Sequence, residues 1–102
     1  MNKTYRWGVL GAGRIAAKFC DALSFVQGSE VYAVASRDVD KAKAYATKYN
    51  AAQFYNNYDD LIKDENVDII YIATPHAFHY EQTMNCLRNN KGVLCEKPMS
   101  LT

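Results

Sequence analysis

The 102-residue chain contains no apolar run as long as the roughly 18 residues that a membrane span requires. Its first six residues, Met-Asn-Lys-Thr-Tyr-Arg, lack the long apolar core of a signal peptide. The formal net charge of +1 favours neither a nucleic acid nor a membrane surface as a partner. The length suits one domain and is too short for two. We therefore expect a single cytoplasmic domain.

Cysteine is also scarce, and its arrangement excludes a disulfide framework. The three cysteines, Cys20, Cys86 and Cys95, are odd in number and form no C-x-x-C pair. The two histidines, His76 and His79, have no third ligand at a spacing typical of zinc. We therefore expect reduced, mostly buried thiols and no metal site.

A glycine motif, Gly-Ala-Gly-Arg-Ile-Ala at 11–16, lies between an apolar run and an amphipathic pattern. The motif by itself also occurs as a tight turn, so its placement after a strand and before a helix carries the prediction. Gly11 permits the turn, Gly13 lets the backbone approach a pyrophosphate, and Ala16 lets the helix pack close to the strand. The helix start then faces the anion. The predicted cofactor contacts here are Gly11, Gly13, Arg14 and Ile15.

Strand-like and helix-like segments alternate along the whole chain. Residues 67–73 are the most strand-like, because they are nearly all apolar and rich in β-branched side chains, as in a strand covered on both faces. The predicted strands are Tyr5–Leu10, 31–35, Gln53–Tyr55, 67–73 and Gly92–Cys95. The predicted helices cover 15–26, 42–49, 58–62 and 78–87; Asp38 caps the second helix and Asn50 ends it.

Strict alternation implies right-handed crossovers and a doubly wound parallel α/β sheet, the Rossmann NAD(P)-binding fold. The expected strand order is 3-2-1-4-5, with the ligand crevice between strands one and four. A complete sheet of this kind has a sixth strand. We therefore expect residues 1–102 to be an incomplete dinucleotide-binding domain, truncated before that strand, whose fifth strand is an exposed edge that favours self-association.

The end of the second strand discriminates between the two nicotinamide cofactors. An NAD site usually places Asp or Glu there, whereas this strand ends in Ser36 and Arg37. A hydroxyl and a guanidinium suit a 2′-phosphate, so NADP is favoured over NAD. The nearest acid, Asp38, is better placed as a helix cap. The alternative is that Ser36 and Arg37 are only polar loop residues.

Thr74, Pro75, His76 and His79 follow the fourth strand, at the predicted crevice. Pro75 fixes the turn and has no N–H to leave unpaired beside a nicotinamide ribose. His76 can face the cofactor. His79 lies one helical turn further and serves either the cofactor or the start of its own helix.

Glu96 and Lys97 follow the fifth strand, where open α/β sheets place ligands. The Lys97 ammonium can donate a hydrogen bond to a carbinol or carbonyl oxygen during hydride transfer, which makes it the catalytic candidate. Glu96 can accept from a ribose hydroxyl or simply pair with a base. The competing interpretation of Lys97 is a solvated surface lysine.

Taken together, these motifs resemble the glucose–fructose oxidoreductase, inositol dehydrogenase and rhizopine-catabolism (Gfo/Idh/MocA) family over the whole chain. The marks are 11–16, Ser36-Arg37 with Lys41-Ala42, Thr74-Pro75 with His79, and Glu96-Lys97-Pro98, the last being the most specific. The Ser-Arg pair resembles the dihydrodiol and xylose dehydrogenase branch, which prefers NADP.

The resemblance implies hydride transfer between the nicotinamide and a sugar, polyol or trans-diol. It also implies a second domain that covers the nicotinamide, supplies a histidine beside Lys97 and mediates homo-oligomers, and a cis Lys97–Pro98 bond. Two alternatives stay open: a non-catalytic nucleotide-binding module that senses redox state, and the NAD-dependent glycosidase branch of the same family.

Overall fold

A computed structural model describes residues 4–74 and 76–95, which form one parallel sheet flanked by helices. The strands are β1 (Tyr5–Leu10), β2 (Ser29–Ala35), β3 (Gln53–Tyr55), β4 (Ile69–Ile72) and β5 (Gly92–Cys95). The helices are α1 (Arg14–Leu23), α2 (Val39–Tyr49), α3 (Tyr58–Ile62) and α4 (His79–Arg88), with a 3₁₀ turn, His76–Phe78, before α4. The order β3-β2-β1-β4-β5 and the parallel pairing confirm the predicted doubly wound α/β fold.

The central part of the sheet is buried on both faces, since successive residues of its central strands point to opposite sides and each side is covered by helices. Val9 packs with α1 and with the tyrosines of α2, whereas Leu10 packs with α3 and with Cys86 of α4. The neighbouring strands repeat this alternation at Val34 and Ala35. The central strand β4 is accordingly apolar along its whole length. None of the helices within the described ranges is long and apolar enough to cross a membrane.

The two predicted caps of α2 are confirmed. The Asp38 carboxylate accepts the backbone N–H groups of Asp40 and Lys41 at 3.0 and 3.3 Å, as an N-cap does. Asn50 ends the helix in the left-handed conformation, with φ of 58°. The carboxylate of Asp38 is thereby committed to the helix start.

The sequence predicts an apolar stripe of Ile15, Phe19, Leu23 and Val26 on α1, and the structure confirms half of it. Leu23 is buried and Phe19 packs against the same core cluster. The helix ends at Leu23 rather than at residue 26, and Ile15 and Val26 are exposed. The small residues Ala16 and Cys20 are buried together with Leu23. The burial of Ala16 agrees with its predicted role in close packing of the helix, whereas that of Cys20 was not predicted.

A similar correction applies on the other face of the sheet. The sequence predicts an apolar stripe of Tyr80, Thr83, Met84 and Leu87 on α4. The buried residue is instead Cys86, whereas Tyr80 is 76% exposed and Leu87 is also exposed. β4 covers only Ile69–Ile72 of the predicted 67–73. Val67 is buried, as a strand residue would be, but it lies in the loop before the strand pairing begins.

Lys91 provides an internal tie between the start of β5 and the loop before β4. Its ammonium donates hydrogen bonds to the backbone carbonyls of Asp64 and Val67 at 2.6 and 2.7 Å. The Asp64 carbonyl also accepts the Val67 N–H at 3.1 Å. The ammonium therefore adds charge-assisted hydrogen bonds to a turn that the backbone has already begun.

We expect Lys91→Met to lower the free energy of unfolding by about 1–3 kcal/mol, because it keeps the length of the side chain and removes both charge-assisted hydrogen bonds. Lys63→Met is the matched control, since Lys63 is exposed. Urea denaturation followed by circular dichroism measures both variants. Equal losses in the two variants would contradict the role of Lys91.

The described cysteines are free thiols, and two of them are buried. Burial raises the pKa of Cys20 to about 12 and that of Cys86 to about 11, from a usual value of 9.0. The pKa values of these thiols are higher in the folded state than in the unfolded state. Their contribution to the free energy of unfolding is therefore complete below about pH 9 and is lost as the pH rises from about 9 towards 12.

At pH 8 we expect iodoacetamide to modify Cys95, which is half-buried, well before Cys20 and Cys86. Peptide mass spectrometry of samples quenched at intervals measures the order of labelling. In urea the three rates should converge. Labelling of Cys20 as fast as Cys95 in the folded protein would show that burial does not protect it.

Candidate cofactor site

The carboxyl ends of β1, β2 and β4 meet around an open cleft of about 310 Å³. Its walls are residues 11–13, residues 36–38, Lys41, Tyr58, and residues 73 and 74. The cleft lies where the strand order reverses between β1 and β4, as predicted. Of the predicted site residues, the structure brings Gly11, Gly13, Ser36, Arg37 and Thr74 together here.

Gly11 makes the turn that leaves β1. Its φ is +104°, and a Cβ at this position would lie 3.0 Å from the backbone carbonyl oxygen of Ala73. Its N–H donates to the carbonyl of Ala35 at 2.8 Å. The residue thus touches the ends of both neighbouring strands, and only glycine fits this position without strain.

Gly13 is the N-cap of α1 and lies beside open space. A Cβ here would meet nothing within 4 Å among the described residues, and no described side chain caps the helix. The first helical backbone bond runs from the Ala17 N–H to the Gly13 carbonyl at 3.0 Å. The N–H groups of Arg14 and Ile15 therefore have no helical acceptor, and together with the helix dipole they favour an anion.

Ser36 is 8% exposed and is held by two backbone contacts at the end of β2. Its N–H donates to the carbonyl of Tyr55, and its hydroxyl oxygen accepts the N–H of Asp38, both at 3.1 Å. The hydroxyl proton remains available for an acceptor in the cleft. Beside it, the side chains of Arg37 and Lys41 are exposed.

Lys41 and Tyr58 are cleft residues that sequence reasoning did not place in the site. Lys41 lies in the first turn of α2, four residues after Arg37, and so adds a second cation next to Ser36. The signal was available, because a lysine in the first turn of the helix that follows the second strand must lie near that strand end. Tyr58 gave no such signal, since its approach to the cleft depends on how α3 packs.

The loop after β4 is fixed by side chains of α4. The Thr74 hydroxyl donates to the Gln82 amide oxygen, and the Nε2–H of His79 donates to the Thr74 carbonyl at 2.7 Å. His79 thus fastens the start of its own helix to the loop, and its contact with a cofactor stays a prediction. Gln82, which sequence reasoning missed, does the same from one turn further along α4.

Several predicted site residues cannot be located with these neighbours. Pro75, Glu96, Lys97 and the Lys97–Pro98 bond lie outside the described residues, and the structure describes His76 only as the first residue of the 3₁₀ turn. Their roles stay predictions. β5 ends at Cys95, whose Sγ lies 3.3 Å from the Thr83 hydroxyl oxygen. Among the described residues, no group of three or more His, Cys, Asp or Glu side chains is arranged to hold a metal ion.

The comparison with protein families decides the identity of this fold. Residues 5–102 match the Gfo/Idh/MocA family, described as an oxidoreductase family with an NAD-binding Rossmann fold. The chain belongs to this family. The resemblance inferred from the glycine motif, Ser36-Arg37 and Glu96-Lys97-Pro98 is confirmed.

Relatives of this Gfo/Idh/MocA chain are named as dehydrogenases and reductases. The trans-1,2-dihydrobenzene-1,2-diol dehydrogenase of Mus musculus is 46% identical over 98 residues, which cover 94% of this chain and 29% of that protein. KijD10, a 3-ketoreductase from Actinomadura kijaniata crystallised with NADP and TDP-benzene, has a TM-score of 0.89 at 33% identity, covering 96% of this chain and 30% of its own. For myo-inositol 2-dehydrogenase from Lactobacillus plantarum the TM-score is 0.86 and the identity 31%, with coverages of 98% and 30%. The chain thus spans less than a third of these relatives.

The two motif glycines should respond differently to alanine. Gly11→Ala should lower the free energy of unfolding by roughly 1–3 kcal/mol, because it combines a positive φ with a backbone clash at Ala73. Gly13→Ala should change it by less than about 0.5 kcal/mol, because its φ of −115° suits alanine and the added methyl meets no described atom. Urea denaturation of both variants measures the contrast, and a larger loss for Gly13→Ala would contradict it.

Proposed function

We propose that this chain is the cofactor-binding part of an NAD(P)-dependent oxidoreductase that transfers hydride between a nicotinamide and a CH–OH carbon. The observation that carries the proposal is the uncapped start of α1, which opens onto the cleft beside the cations at the end of β2. When bound, the dinucleotide supplies the hydride donor or acceptor. The chain's own residues bind it and orient it.

The residues present fit a dinucleotide. The open space at Gly13 and the N–H groups at the start of α1 suit the pyrophosphate. Ser36, Arg37 and Lys41 suit a ribose 2′-phosphate, because together they offer a hydroxyl proton and two cations. The nearest acid, Asp38, already accepts the N–H groups of α2. We therefore propose that NADP is preferred over NAD, and the NADP bound by KijD10 supports this preference.

We assign the nicotinamide end to the residues that follow β4 and β5. Thr74, held by His79 and Gln82, provides a fixed wall there, next in sequence to Pro75 and His76. Lys97 is the proposed catalytic residue, whose ammonium donates a hydrogen bond to the substrate oxygen and holds the proton that leaves or enters it. Glu96 is proposed to accept from a ribose hydroxyl.

We further propose a second domain that supplies the substrate pocket and mediates a homo-oligomer, in line with the longer chains of the relatives. The substrate class proposed is a sugar, polyol or trans-diol. The trans-diol is supported by the name of the mouse relative, and the polyol by that of the Lactobacillus plantarum enzyme.

Arg37→Ala tests both cofactor binding and cofactor choice. We expect it to weaken NADP binding by roughly 1–3 kcal/mol, the scale for losing charged hydrogen bonds, and to change NAD binding much less. Isothermal titration calorimetry with each cofactor measures the difference. Arg88→Ala is the matched control, because Arg88 is exposed at the end of α4, away from the cleft.

The possible results separate the proposals. Equal losses for NADP and NAD would assign Arg37 to adenine stacking or to structure and overturn the preference. Failure of the unsubstituted chain to bind either cofactor would overturn its cofactor-binding role.

A further inference from the structure

Tyr45 reaches from α2 across to the glycine motif. Its hydroxyl donates a hydrogen bond to the backbone carbonyl of Gly13, with an oxygen–oxygen distance of 2.7 Å. The same carbonyl accepts the Ala17 N–H at 3.0 Å. The N-cap carbonyl of α1 is therefore held by two donors, one from its own helix and one from the next.

The contact matters because of the geometry of the peptide unit. In a trans peptide the C=O and the following N–H point in opposite directions, so a fixed Gly13 carbonyl also fixes the direction of the Arg14 N–H. That N–H is the first of those without a helical acceptor, and it points towards the open end of α1. A donor on the carbonyl also polarises the amide and strengthens the N–H as a donor.

Gly13 needs such a restraint more than another N-cap would. It has no side chain, no described residue caps the helix, and a Cβ here would meet nothing within 4 Å. Glycine loses more backbone freedom on ordering than any other residue. Without the Tyr45 hydroxyl, the peptide would become ordered only when an anion binds, and the entropy lost at that step would weaken the binding.

We propose that Tyr45 is a positioning residue for the cofactor pyrophosphate, acting through the Gly13 carbonyl on the Arg14 N–H. The inference rests on the proposed cofactor-binding function and adds to it a residue of α2 that does not itself touch the ligand. It assigns a role in binding to a hydroxyl that would otherwise count only as a contact between helices.

The chain offers a matched control one turn further along α2. The Tyr49 hydroxyl also contacts α1, at the carbonyl of Ala17 at 3.3 Å and the Asp21 carboxylate at 3.0 Å. Tyr45→Phe and Tyr49→Phe therefore each remove one hydroxyl between the same two helices. Only Tyr45→Phe removes it from the glycine motif.

The test uses two probes, NADP and adenosine 2′-monophosphate, titrated into the unsubstituted chain and both variants. The second probe carries the adenine and the 2′-phosphate but no pyrophosphate. Tyr45→Phe should weaken NADP binding about three- to tenfold, the range expected for one hydrogen bond, and leave the 2′-monophosphate unchanged. Tyr49→Phe should leave both unchanged. Chemical-shift titration of the backbone amides follows the weaker ligand.

Three results would overturn the inference. One is unchanged NADP affinity in Tyr45→Phe while the unsubstituted chain binds NADP. Another is an equal loss for both probes in that variant, which indicates a general loosening of the fold. The third is no NADP binding by the unsubstituted chain, which also overturns the proposed function; the first two leave that function standing.

Discussion

The close approach of Gly11 to the ends of β2 and β4 is the constraint on which the site depends. Its N–H binds the Ala35 carbonyl on one side, and its α-carbon faces the Ala73 carbonyl on the other. The chain leaving β1 is thereby confined between two strand ends. It has room only to turn directly into α1, so the start of that helix is placed over the cleft by the sheet itself.

Small residues extend this constraint along α1. Ala16 and Cys20 face the sheet, and Tyr49 and Tyr45 reach over α1 from the side. A tyrosine suits such a position because its ring packs against apolar neighbours while its hydroxyl pairs with a buried or half-buried polar group. Elsewhere Tyr55 does the same with the Asp64 carboxylate at 2.6 Å. The chain has eight tyrosines, and these examples show that tyrosine hydroxyls form hydrogen bonds between elements in addition to the apolar packing of their rings.

Much of this arrangement could be predicted from the sequence, since it depends on neighbours along the chain. The strand order followed from alternation, and the α2 caps followed from Asp38 and Asn50. The glycine motif also predicted the close packing of Ala16. The rest of the buried faces of α1 and α4 could not be predicted in this way, because close packing selects Cys20 and Cys86, where the apolar pattern favours larger side chains.

The missed contacts of the site share a different cause. The bond from Tyr45 to Gly13 joins residues 32 positions apart, and that from Gln82 to Thr74 depends on where α4 begins. Neither has a local motif. The first requires α1 and α2 to pack on the same face of the sheet, and the second requires the chain to turn from the loop after β4 into α4. Motifs therefore predict which residues line the cleft more readily than which residues hold them in place.

The two halves of the cleft are held in contrasting ways. At the glycine motif the fixed groups are backbone amides, and their directions follow from the turn and from donors on their carbonyls. At the loop after β4 the fixed groups depend on side chains of α4, through His79 and Gln82. Backbone N–H groups suit a pyrophosphate, which is common to all dinucleotides, and they are present whatever the side chains are. Groups held by side chains can be altered by substitution of those side chains. If the proposed function holds, α1 and α2 hold the pyrophosphate, and α4 fixes the loop beside the nicotinamide.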